Sequence, residues 1–120
     1  MSEYLVSKRC VPCEGEESPM SREQVREYLR LVPGWSLSED GARISREWSC
    51  ADFKAALDFV NLVADLAEEE GHHPDLRVFS YRRVAVILST HAIKGLSVND
   101  FILAAKINAL PQHERRGVRP

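Results

Sequence analysis

The sequence predicts an α+β domain, a four-stranded antiparallel sheet with three helices packed on one face, in the order α-β-β-α-β-β-α. Three observations carry that expectation. Segments with a helical apolar period interleave with segments of period two. The period-two segments come in neighbouring pairs, the mark of hairpins and so of an antiparallel sheet. Serine or aspartate opens the helical segments, and glycine or proline closes them.

Residues 1–20 contain "CVPCEGEESP" and read as a flexible N-terminal arm. The domain proper is expected over 21–111. In "SREQVREYLRLVP" Ser21 is the N-cap and Gln24, three residues on, completes a capping box. Val25, Tyr28, Leu29 and Val32 form the apolar stripe, and Pro33-Gly34 ends the helix. "WSLSE" and "ARISREW" flank Asp40-Gly41, a dipeptide suited to a tight hairpin turn. Ser49 with Asp52 is expected to cap the longest helix, about residues 50–70, which Gly71 stops. "DLRVFSY" and "RRVAVILSTH" are the next two strands. In the second, Val84, Val86, Leu88 and Thr90 share one face, and Arg83, Ala85, Ile87, Ser89 and His91 the other. Ser97 with Asp100 caps the last helix, "VNDFILAAKINAL", ended by Pro111; residues 112–120 form a basic C-terminal tail.

The totals bound the function. The chain has 120 residues, room for one domain and one ordinary core. Net charge is −2 with both signs mixed along the chain, which argues against direct nucleic-acid binding. No apolar run reaches the length of a membrane span and no secretory signal is apparent, so the expected compartment is the cytoplasm. Three cysteines, Cys10, Cys13 and Cys50, are then expected to stay reduced.

The long helix carries more apolar surface than one sheet face covers. Phe53, Ala56, Leu57, Val60, Val63, Ala64 and Ala67 make one stripe, and Ala55, Phe59, Leu62 and Leu66 a second. Together they span an arc of about 220°. Either a second copy of this helix shields the extra stripe, making a homo-oligomer, or another helix of the same chain does.

The residues able to do chemistry gather at element ends. "LAEEEGHHPDL" puts His72 and His73 after the long helix, and His91 leaves the fourth strand. Pro74 biases His73 towards extended backbone, where neighbouring side chains point to opposite sides. Glu68, four residues before His72, is placed to orient that ring if the last turn continues. Imidazole titrates near neutral pH, so rings around one pocket can give and take protons. Capping of a helix end by His72 is the competing structural role. Ser89 and Thr90 can likewise serve as strand-end hydroxyls, and Trp35 as a core or pocket-rim aromatic. Zinc on His72, His73, His91 and Glu68 is the competing chemical reading, but adjacent histidines at an extended corner share an ion poorly and no HExxH pattern occurs. Cys10-x-x-Cys13 is half of a metal or redox motif, and His113 lies in the tail.

These motifs resemble a known family. "AEEEGHHPD" followed by "YRRVAVILSTHAIKGLSVND" is similar to the signature of the pterin-4a-carbinolamine (4a-hydroxytetrahydrobiopterin) dehydratases. "LVPGW" and "SREW…DF" extend the likeness to about residues 20–110. Ala92, Leu76 and Arg82 depart from residues common in the family. The resemblance implies homodimers or homotetramers and no metal or other cofactor. It also implies an enzyme, a hydro-lyase removing water from a 4a-hydroxytetrahydropterin to give quinonoid dihydropterin, in recycling the cofactor of aromatic amino acid hydroxylases. Carried over by position, His72, His73 and His91 fall on active-site histidines, Pro74, Ser89 and Thr90 on substrate-contact segments, and Glu68 on a supporting carboxylate. His72 and His91 would share acid and base duties while His73 holds the pterin. The alternative is a non-catalytic pterin binder or a dimerisation cofactor for a transcription factor.

Overall fold

The computed structural model describes residues 3–11 and 18–111. Its elements run α1 (Glu3–Val6), α2 (Arg22–Leu29), β1 (Ser36–Leu37), β2 (Ile44–Ser49), α3 (Phe53–Glu70), β3 (Asp75–Phe79), β4 (Arg83–Leu88), a 3₁₀ turn (His91–Ile93) and α4 (Val98–Asn108). The four strands form one open antiparallel sheet in the order β1-β2-β4-β3. The α+β class and the sheet are as expected from sequence.

Strand alternation builds the core. Ile44 and Trp48 of β2 lie opposite Leu88 and Val84 of β4, and all four are buried. On the other face Glu47 lies opposite Ala85 and Ser49 opposite Arg83, with Arg83 donating to Glu47 at 3.0 Å. The helices cover the apolar face, where Phe59, Phe101, Leu103 and Ile107 complete the cluster. Trp35 is a core residue, 5.9 Å edge-to-face from Trp48, its Nε1–H donating to Asn108 Oδ1 at 2.9 Å.

Local signals explain the boundaries. Ser21 Oγ accepts from Gln24 N while the Gln24 side chain accepts from Ser21 N, closing the capping box. Asp52 alone caps α3, accepting from Ala55 N at 2.8 Å. Ser49, expected to share that role, is instead the last residue of β2, because the β2–β4 ladder runs on to the Ser49–Arg83 pair. The first hairpin turns through a longer loop than Asp40-Gly41 implied. Ser38 N pairs with Arg43 O at 2.9 Å, and the Asp40 carboxylate accepts from Ser38 Oγ and Ala42 N. Those two donors hold the Asp40 carboxyl below its ordinary value.

Two further expectations are corrected. The stretch read as a flexible arm is packed over residues 3–11, and its α1 adds a fourth helix among the described residues. Leu5 explains this, since it is fully buried in the common core. In α3 the buried line is Ala56, Phe59, Val63 and Ala67, which runs between the two predicted stripes. The sheet thus takes the middle of the wide apolar arc. It leaves Phe53 52 % and Leu57 38 % exposed on one flank, with Val60 and Ala64 half-buried beside them. Cys13, His113 and the tail 112–120 lie outside the described residues.

Candidate active site

The register of one hairpin brings the histidines together. Asp75 lies opposite Ile87 in the β3–β4 ladder. Stepping back from Asp75 leads to His73 and His72, and stepping forward from Ile87 leads to Ser89, Thr90 and His91. Two segments separate in sequence therefore leave the same end of the sheet side by side.

Each segment is shaped locally. Gly71 ends α3 in the left-handed conformation, φ 68°, with its N–H donating to Ala67 O at 2.9 Å. No atom crowds a Cβ built there, so backbone conformation alone favours glycine. His72 N also donates to Ala67 O, which turns the chain sharply towards β3. Past β4, Thr90 and Gly95 bond to each other through their backbones and close a small loop that His91 opens. Gly95 is needed for close approach, because a Cβ there would stand 2.7 Å from the Pro19 ring.

Between the segments lies a hollow of about 340 Å³. Gly71, His72 and His73 wall one side, Ser89, Thr90, His91 and Ala92 another, and Val11 with Asn99 a third. All three predicted histidines share it, as do Ser89 and Thr90. Pro74 and Glu68 stand outside this wall. A neighbouring hollow of about 270 Å³ shares Ser89, Thr90 and His91 and bears Arg43 and Lys94. A larger one, about 470 Å³, lies beside Gly34 and Arg46, remote from the imidazoles. Chemistry rather than volume selects the first.

Asp100 organises the site, and sequence reasoning assigned it only a capping role. It is fully buried in the first turn of α4. Its Oδ2 accepts from Thr90 Oγ1 at 2.8 Å and from Ser97 N at 3.0 Å. Its Oδ1 lies 2.7 Å from His72 Nε2. A carboxylate only accepts, so His72 carries its hydrogen on Nε2 and is left with Nδ1 to exchange a proton. The capping spacing Ser97-x-x-Asp100 was visible in sequence, but nothing there shows that the second oxygen turns to a ring 28 positions away.

Glu68 does not orient His72, as the i,i+4 spacing suggested. Its Oε2 lies 2.6 Å from His73 Nε2. The cause is the glycine turn, which swings His72 under α3 towards α4 and leaves His73 on the solvent side. Both members of the Glu68–His73 pair are mostly exposed, so the contact is worth no more than about 1 kcal/mol. Among the described residues no three His, Cys, Asp or Glu side chains cluster to hold a metal ion. Cys10 is half-buried against Asn99 O, and burial followed by the neighbouring Glu70 carboxylate pushes its thiol up to about 12. It is therefore a poor nucleophile.

Fold and site together define an open-sheet α+β protein with a histidine-walled, carboxylate-backed cavity. The family model described as pterin 4 alpha carbinolamine dehydratase matches residues 18–110. A Halorhodospira halophila protein carrying that family's name is 48% identical over 106 residues, covering 88% of this chain and 96% of that protein. The mitochondrial pterin-4-alpha-carbinolamine dehydratase 2 of Arabidopsis thaliana is 45% identical over 88% of this chain and 58% of its own length. A solved transcriptional coactivator/pterin dehydratase from Brucella melitensis is 33% identical, with a TM-score of 0.71 over 77% of this chain and 97% of that one. A pterin dehydratase-like RuBisCO assembly factor of the alpha-carboxysome shares the fold at 19% identity, with a TM-score of 0.54 over 63% of this chain and 87% of that one. The chain belongs to the pterin-4-alpha-carbinolamine dehydratase family. Among the described residues no helix is long and apolar enough to cross a membrane.

Proposed function

We propose that this protein is a 4a-hydroxytetrahydrobiopterin dehydratase that works by histidine acid–base catalysis. One observation carries the reading: three imidazoles wall a single hollow and a buried carboxylate backs one of them. The hydroxyl on C4a leaves as water, so its oxygen gains a proton as the C–O bond breaks. The ring nitrogen beside C4a then loses a proton, giving the quinonoid dihydropterin. One group must donate and one must accept, and the electrons balance without an external oxidant or reductant.

His72 suits the accepting role. Its Nε2–H points at Asp100, so Nδ1 is the nitrogen with a free lone pair, and the carboxylate stabilises the imidazolium that forms. His91 suits the donating role. It is exposed at the start of the closed loop and pairs with no carboxylate among the described contacts, so it can be recharged from solvent. His73, tethered to Glu68, lines the wall and holds the pterin. Ser89 and Thr90 add strand-end polar groups at the same wall.

Stopped-flow absorbance with freshly prepared 4a-hydroxytetrahydrobiopterin tests the reading. Wild-type protein is expected to accelerate dehydration over buffer, and His72→Ala and His91→Ala each to lose most of that acceleration. A wild type no faster than buffer would refute it and favour a non-catalytic pterin-binding or dimerisation-cofactor role, in line with the coactivator half of the Brucella melitensis protein's name. The protein is further proposed to be a homo-oligomer. The flank of α3 bearing Phe53, Leu57, Val60 and Ala64 supports this, since it is apolar and only partly covered.

A further inference from the structure

One lining residue of the histidine hollow, Val11, comes from outside residues 18–110, the part matched to the family. Residues 9–11 run as a strap from the end of α3 to the start of α4. Cys10 N donates to Glu70 Oε1 at 2.9 Å, and Lys106 Nζ donates to Glu70 Oε2 at 2.6 Å. Val11 is clamped at both backbone groups. Its N–H donates to Asn99 Oδ1 at 2.9 Å and its carbonyl accepts from Asn99 Nδ2 at 2.5 Å. Asn99 is only 4 % exposed, and Leu5 anchors the chain upstream. A buried carboxamide that commits both ends to one backbone residue holds that residue's position tightly.

The clamp does not serve the core, because the Val11 side chain it positions is 64 % exposed. Val11 borders the hollow of His72, His73 and His91, and on its other side a hollow of about 290 Å³ with Met20, Gln24 and Val98. Most of the wall is polar; only Val11 and Ala92 offer side chains without a polar atom. A flat bicyclic ring needs apolar contact as well as hydrogen bonds, and sites for such ligands combine the two.

We propose that Val11 is a specificity-determining residue packing against the bound pterin, and that Asn99 is the positioning residue holding it there. The proposal rests on a pterin occupying the hollow. Neither residue moves a proton, so both act on binding.

The test is steady-state and stopped-flow kinetics of Val11→Trp and Asn99→Ala beside wild type, with thermal melts. For Val11→Trp, KM should rise about tenfold or more, with kcat within about twofold and an unchanged melt, since the position is exposed. Asn99→Ala should raise KM more than it lowers kcat, even if its melt falls. A Val11→Trp protein with KM within twofold of wild type, or one whose loss lies wholly in kcat, overturns the proposal. If wild type does not dehydrate its substrate, the functional reading fails separately. Calorimetric titration with 7,8-dihydrobiopterin then decides the strap: a Kd at least about tenfold weaker in Val11→Trp supports it, while equal Kd values, or no binding by wild type, overturn it.

Discussion

Replacing Asp100 with Asn keeps the side chain's shape and changes one thing that matters. In the wild type Oδ2 accepts from two donors, Thr90 Oγ1 and Ser97 N, and Oδ1 faces His72 Nε2 alone. An asparagine has one oxygen and one NH2. The oxygen will take the site with two donors, so the NH2 turns towards His72. That ring must then accept at Nε2 and carry its hydrogen on Nδ1, the tautomer unable to take a proton there. General acid–base catalysis is typically worth about 10² to 10⁴ in rate, so kcat should fall by about 10² or more. KM should change little, because the walls of the hollow stay in place. Hydrogen bonds to a charged acceptor are replaced by neutral ones at a fully buried position, costing about 1–3 kcal/mol. On a domain of this size that lowers Tm by roughly 4–12 °C. Stopped-flow absorbance measures the rate, and nitrogen chemical shifts of the His72 ring report the tautomer. A kcat within threefold of wild type, or a His72 ring still protonated on Nε2, would refute the reasoning.

Other outcomes follow from the same contacts. Burial pushes the Glu70 carboxyl up, but the Lys106 ammonium and the Cys10 N–H outweigh it and hold it below its ordinary 4.5. A lowered carboxyl stabilises the fold fully above the unfolded value and loses that contribution as pH falls through the folded one. Urea midpoints should therefore drop with acidification below about pH 4.5, and Lys106→Met should weaken or reverse that dependence. The same variant should lose about 2–4 kcal/mol at neutral pH, since Glu70 would be left buried with the Cys10 N–H and the more distant Arg9 charge but no ion-pair partner in contact; an unchanged midpoint would show the pair to be idle. Glu68→Ala should shift stability by less than about 1 kcal/mol, because its partner His73 is mostly exposed. A larger loss in the urea midpoint would contradict that. Phe53→Asp with Leu57→Asp should convert an oligomer to monomer by light scattering, with Tm falling only by what association contributed, as both side chains are substantially exposed within one chain. A wild-type monomer would dismiss the oligomer.

Where a residue's role depends on its near neighbours in sequence, the sequence was a good guide. Ser21 with Gln24, Asp52, Gly71 and Ser97 with Asp100 mark helix ends through contacts spanning a few residues. The alternation Val84, Val86, Leu88 marked the buried face of β4, because side-chain period is set by backbone geometry. The histidine corner was recognisable by its spacing and by its likeness to a family.

Contacts that depend on how elements are stacked were not legible. The width of the apolar arc on α3 showed surplus surface, but only the docked sheet decided that the line Ala56, Phe59, Val63, Ala67 goes inward. Leu5 is one apolar residue in a polar stretch, and nothing local says that it reaches the core. Glu68 sits at helical spacing from His72, yet the glycine turn gives that ring to Asp100 and leaves Glu68 to His73. Chain-local chemistry thus settled most of the elements, several of their caps and the corner that bears the paired histidines. That Asp100 backs His72, and that Val11 borders the hollow, was decided by tertiary packing, since Asp100 lies 28 positions from His72 and Val11 lies 88 from Asn99, and they meet only once the helices and sheet are assembled.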